Sequence, residues 1–136
     1  MANIESLKRQ HVDISENIAI IKNLVKKDNF HEDSSEIAKY ISLLAGKLKI
    51  HLDTEDKFLY PDLLNNEDAK IKNMANDYIK EMGNLCQSFT IFKNQFNTKT
   101  KIINNLSDFK IQSVEIINLL EKRISKEDRE LYPTIK

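Results

Sequence analysis

A chain of 136 residues with one cysteine, two glycines and two prolines has few ways to fold. The single Cys86 has no internal disulfide partner, which fits a reducing compartment, and its simplest place is as a small core residue on a helix. With glycine so scarce and each proline placed just after one copy of a repeated motif, long helices with sharp stops are favoured over a sheet. No apolar run approaches the roughly eighteen residues of a membrane span, and the opening MANIESLKRQ lacks the apolar centre of a signal peptide. A soluble, cytoplasmic protein is expected. An excess of either charge is also missing: Lys and Arg number 21 and Asp and Glu 21. No basic cluster with interleaved aromatics stands out, which argues against a nucleic-acid partner. The length suits one domain, residues 1–136, large enough to bury a real core. Oligomeric state does not follow from any of this.

The chain does contain a duplication. HLDTEDKFLYPDL, His51 to Leu63, recurs without gaps as RISKEDRELYPTI, Arg123 to Ile135. The copies share Glu55/Glu127, Asp56/Asp128, Leu59/Leu131, Tyr60/Tyr132 and Pro61/Pro133, which predicts two similar halves about a pseudo-twofold axis. One copy carries His-x-x-x-Glu and the other Arg-x-x-x-Glu. Residues i and i+4 share one helix face, so His51 and Glu55 are placed to bind one metal ion.

Four helical stripes follow in order. The first helix is expected over about Ile4 to Lys27, with Leu7, His11, Ile14, Ile18, Ile21 and Val25 facing inward. His11 alone on that stripe reads as a hydrogen-bonded core residue unless His51 and Glu55 supply a partner site. Asp28 to His31 breaks the pattern, and Asp33-x-x-Glu36 resembles a capping box opening the second helix. Its stripe is Ile37, Ile41, Leu44, Leu48, His51, Glu55 and Phe58, whereas His31 falls in a turn roughly thirty ångströms from His51. After Asn65 to Asp68, a third helix carries Ile71, Met74, Tyr78, Met82, Leu85, Phe89, Phe92 and Phe96 inward, with Glu81 at the stripe's edge and able to turn in. A polar connection, about Asn97 to Ser107, leads to a fourth with Phe109, Ser113, Ile116, Leu120, Arg123 and Glu127. Four such helices with short connections predict an all-α, antiparallel up-down-up-down four-helix bundle.

A helix 1 His, a helix 2 His-x-x-x-Glu before Leu-Tyr-Pro, and a helix 4 ending Lys-Glu-Asp-Arg-Glu-Leu-Tyr-Pro resemble the hemerythrin-like, HHE cation-binding domains over essentially the whole chain. The resemblance implies a non-haem di-iron centre inside a four-helix bundle, held by histidines from all four helices and two bridging carboxylates. It also implies roles in carrying or sensing oxygen, responding to nitric oxide, or handling iron. By motif, His11 matches the helix 1 ligand, His51 and Glu55 the helix 2 ligands, and Glu127 the helix 4 carboxylate.

The match is incomplete. Lys80-Glu81-Met82-Gly83 stands where the helix 3 histidine belongs, and Arg123 replaces the helix 4 histidine. An arginine presents only donors and cannot ligate a metal. The expectation is therefore a charge pair, Glu81 with Arg123, in one half of the site. In the other half His11, His51, Glu55 and Glu127 would hold one ion, iron or another divalent cation, rather than a di-iron pair. The alternative is a metal-free interaction bundle in which these residues form a buried polar network. A redox enzyme fits less well, because it needs a complete centre with open positions. Asp56 and Asp128 are expected outward. Tyr60 and Tyr132 lie nine positions beyond His51 and Arg123, roughly ten ångströms or more along an unbroken helix, beyond ligating reach.

Overall fold

The computed structural model describes residues 4–135. In chain order they form α1 (Ile4–Lys27), α2 (Phe30–Phe58), a short α3 (Tyr60–Leu64), α4 (Ala69–Phe96), a short α5 (Lys99–Asn104) and α6 (Leu106–Lys126). A π-helical turn, Glu127–Leu131, and a 3-10 turn, Tyr132–Thr134, finish the chain. The long helices pack in a ring: α1 on α2, α2 on α4, α4 on α6, and α6 back against α1. With short connections between them they alternate in direction, which is the expected antiparallel four-helix bundle.

Local sequence explains the boundaries, including those that differ from expectation. Asp28 adopts φ 59° and turns the chain between α1 and α2. The second helix then starts at Phe30 rather than at the Asp33–Glu36 box, because Phe30 is buried edge-on against Phe109, with ring centroids 6.0 Å apart. His31 consequently lies in the first turn of α2, exposed and apart from the other histidines. Asp68 caps α4 by accepting from the Lys70 amide at 2.9 Å. The polar connection after α4 is itself partly helical: Thr98 caps α5, whose Ile102 is fully buried in the core formed by the long helices.

Each Leu-Tyr-Pro copy turns its leucine and tyrosine into the core. Helix α2 stops at Phe58, leaving that ring 53% exposed rather than inward, and Leu59 and Tyr60 turn into the core, with Pro61 in the first turn of α3, where a missing N–H costs little. Leu131 and Tyr132 do the same before Pro133.

The core has two apolar layers. The larger gathers aliphatic residues of all four long helices around Phe30, Phe89, Phe92, Phe96 and Phe109; the smaller gathers Leu7, Leu59, Tyr60, Leu63, Ala75, Tyr78, Leu131 and Tyr132. On α1, His11 falls between Leu7 of one layer and Ile14 of the other; on α2, His51 and Glu55 fall between Leu48 and Leu59. On α6 and its extension, Arg123 and Glu127 fall between Leu120 and Leu131. A polar slab is thus enclosed between two hydrophobic ones. Phe109 is fully buried and touches the rings of Phe30, Phe92 and Phe96, so Phe109→Ala is expected to cost about 3–5 kcal/mol in denaturant unfolding. Leu119→Ala, on the outer face of the same helix and 51% exposed, should stay within about 0.5 kcal/mol of wild type.

Candidate metal centre

His11, His51, Glu55 and Glu127 are all buried. One donor atom from each lies within 4.8 Å of every other, so residues far apart in sequence meet in the polar slab. The two imidazoles are held from behind. His11 Nδ1 lies 2.8 Å from Asp128 Oδ1, and His51 Nδ1 lies 2.7 Å from Gln10 Oε1. Both partners are acceptors, so each Nδ1 carries the hydrogen and each Nε2 is directed inward, the arrangement that fixes tautomer and ring orientation in metal-binding histidines. A surface groove between α1 and α6, lined by Lys8, Val12 and Ile124 among others, reaches the His11–Asp128 pair.

Inside, three acceptor atoms face one another. His11 Nε2 is 3.1 Å from His51 Nε2 and 2.8 Å from Glu127 Oε1, and His51 Nε2 is 3.2 Å from the same oxygen. Lone pairs this close are stable only with protons or a cation among them. Glu55 Oε2 lies 3.4 Å from His51 Nε2, while Glu55 Oε1 is buried with no hydrogen-bond partner. An orphaned carboxylate oxygen in such a place is costly unless an ion, a proton or a water meets it.

The ionisation pattern follows. Burial works against a charged His51, but the hydrogen bonds it donates to Glu127 and Glu55, and their negative charges, outweigh it and raise its pKa to about 9. Burial raises the Glu55 carboxyl, and the charge of Glu127 adds to it, with His51 opposing. Burial would raise Glu127 as well, but His11, His51 and Arg123 together hold it well below the usual carboxylate range.

Arg123 occupies the other half of the slab. Its Nε donates to Glu127 Oε2 at 2.8 Å, Nη2 to the Tyr78 carbonyl at 2.8 Å and, more weakly, to the Tyr60 hydroxyl at 3.4 Å. Nη1 donates to Glu81 Oε2 at 3.2 Å, and the guanidinium stacks 4.3 Å from the Tyr78 ring centre. The pairing of Glu81 with Arg123 therefore forms, but Glu81 does not turn inward. Its side chain is 53% exposed and is shared with Lys126 Nζ at 3.3 Å. Among the described residues, the buried acidic side chains are two, Glu55 and Glu127.

One expectation from helical spacing is overturned. Tyr132 is not remote: its hydroxyl donates to Glu55 Oε2 at 3.0 Å and lies 3.0 Å from His11 Nε2, 3.3 Å from Glu127 Oε1 and 3.5 Å from His51 Nε2. The helix is not regular there. The Tyr132 amide bonds the Glu127 carbonyl, an i to i+5 link that widens the turn and brings residue 132 round to the face of residue 127. A helical side chain also leans back toward the N-terminus, which shortens the axial gap. Asp128 is exposed as expected, 44% at its side chain, and from there also orients His11. Its counterpart Asp56 is exposed as expected. Gln10 carried no sequence signal beyond its place beside His11. Cys86 is half-buried, and burial pushes its thiol up to about 11.

Four antiparallel helices enclosing inward His and Glu donors form a helical bundle whose interior could hold a cation. The family model described as the Hemerythrin HHE cation binding domain matches residues 2–135, and the chain belongs to that family. No curated protein and no solved structure matches it. Among the described residues, no helix is long and apolar enough to cross a membrane.

Two outcomes are expected of the metal-free protein. Arg123→Met strands Glu127 beside the remaining groups and should cost about 3–5 kcal/mol; an unchanged melting temperature in chelator would show the guanidinium to be dispensable. His51 faces His11 and Gln10 of α1, Glu55 of its own helix, and Glu127 and Tyr132 beyond α6. Its folded pKa lies above the unfolded value near 6.5, so its contribution is full below that pH and is lost as pH rises through about 9. The melting temperature in chelator should fall across that window, and His51→Gln should flatten the fall.

Proposed function

We propose that this protein binds one divalent cation through His11, His51, Glu55 and Glu127. The observation that carries the reading is the triangle of His11 Nε2, His51 Nε2 and Glu127 Oε1, with edges of 2.8 to 3.2 Å and both Nδ1 hydrogens engaged behind it. Nitrogen and carboxylate donors in this mixture suit iron, manganese or zinc, and family membership favours iron. Iron, when bound, supplies a one-electron redox couple and positions for a small ligand. The residues of the chain do the rest: Asp128 and Gln10 orient the imidazoles, the apolar layers above and below keep bulk water out, and the groove over His11 and Asp128 is the side open to small molecules. Family resemblance extends the role to sensing or handling oxygen, nitric oxide or iron. Arg123 supports one ion rather than two, because a fixed cation bonded to Glu127 Oε2 takes the carboxylate oxygen with which a second ion would be bridged and repels that ion.

The metal-free interaction bundle remains the second reading, favoured by one observation. Among the described residues, Glu55 Oε1 is the single buried polar atom of this cluster without a hydrogen-bond partner, so protons alone come close to satisfying the network.

Elemental analysis of protein purified without chelator or affinity tag separates the readings. About one ion per chain is expected, falling to none in the His51→Ala, Glu127→Ala double variant. Two irons per chain with oxo-bridge absorption would refute the single ion, and a metal-free product that takes up no added iron, manganese or zinc would leave the second reading. Asp128→Ala should fold normally and weaken metal binding by about 10–100-fold, through loss of the bond that orients His11.

A further inference from the structure

Resting on that single-ion reading, we propose that Tyr132 is a fifth ligand, binding the ion through its phenolate oxygen to give a site of two His, two Glu and one Tyr. The argument is geometric. For metal–ligand bonds of about 2.1 Å, neighbouring donors lie about 3.0 Å apart on an octahedron and about 3.4 Å apart on a tetrahedron. The Tyr132 hydroxyl oxygen lies 3.0 Å from His11 Nε2, 3.0 Å from Glu55 Oε2, 3.3 Å from Glu127 Oε1 and 3.5 Å from His51 Nε2. It is spaced from all four proposed ligands as a neighbouring donor on the same polyhedron would be. Among the described residues, no other side chain has a hydrogen-bonding contact with all four. The hydroxyl also cannot move away: the ring is buried, stacked on His11 with centroids 5.0 Å apart, and fixed by the π turn that links its amide to the Glu127 carbonyl.

The duplication makes the placement specific. The equivalent Tyr60 directs its hydroxyl at Arg123, 3.4 Å from Nη2. Each tyrosine therefore serves the half-site of the opposite repeat: Tyr60 meets the resident guanidinium, and Tyr132 meets the histidine half. On coordination the O–H bond breaks, its electron pair forms the bond to the ion, and the proton is released to the buffer. Burial and the two carboxylates keep the Tyr132 phenol protonated in the metal-free protein. A bound cation reverses the sign of that local field and stabilises the phenolate.

The test loads metal-free protein with ferrous iron, oxidises the bound iron to the ferric form in air, and records visible absorption and resonance Raman spectra beside the iron content. A phenolate-to-iron charge-transfer band with enhanced tyrosine ring modes is expected in wild type and in Tyr60→Phe. Tyr132→Phe, which keeps the packed ring, should lose the band, whether or not it retains the iron. A second measurement uses zinc in weak buffer, where wild type should release one more proton per ion bound than Tyr132→Phe. Iron bound by wild type without the band, or a band that survives in Tyr132→Phe, overturns Tyr132 as ligand and leaves the single-ion reading standing. Failure of wild type to bind iron or zinc overturns both.

Discussion

One carboxylate joins everything in the polar slab. Glu127 Oε1 meets His11 and His51, and Glu127 Oε2 meets Arg123. Removing such a group from water is tolerable only if both oxygens are met by donors or cations. That constraint explains why α1, α2 and α6 are in register at this level: His11, His51 and Arg123 must arrive at the same height, and the apolar residues before and after them fix that height. The fourth long helix contributes differently. It offers the Tyr78 carbonyl to Arg123 and brings Glu81 to it from the rim, but no ligand to the histidine half.

Regular helical geometry does not by itself build this centre. Arg123 and Glu127 lie four apart and share a face in the ordinary way. Residue 132 on a continued α-helix would point well away from residue 127. The π turn adds the fraction of a residue per turn that aligns them, and the Leu-Tyr-Pro bend then ends the helix with the tyrosine pointing inward. The same three residues after α2 bend the chain without a described π turn, and Tyr60 faces the opposite half of the slab. An identical short sequence is used once to close the histidine side and once to close the arginine side.

Much of this was legible in the stripes. Apolar periodicity places His11, His51, Glu55, Arg123 and Glu127 inward without reference to any relative, because a polar residue in register with aliphatic neighbours has nowhere else to point. The duplication then identifies Arg123 as the counterpart of His51. The parts that could not be read depend on departures from that periodicity. Phe58 falls on the stripe of α2, but the helix ends there and Leu59 takes the inward place. Glu81 sits at a stripe's edge, where a long side chain reaches its partner from the surface. Asp128 is outward by angle yet close enough to hold the back of His11, and Tyr132 depends on a turn type with no sequence signature beyond the residues that adopt it. Helix α5 was hidden by its polar composition, because its short run buries mainly Ile102.

The guanidinium of Arg123 has a consequence for the life of the protein. A bound ion is borrowed from the surroundings: it can be chelated, exchanged or change valence, and a bundle that relied on two of them would change with every shift in supply. Here the positive charge that meets Glu127 Oε2 is encoded in the chain as Arg123. On the proposed single-ion reading, loss of the ion would empty one half of the slab while Arg123 still neutralises Glu127 in the other, so the bundle would keep its shape with or without the ion.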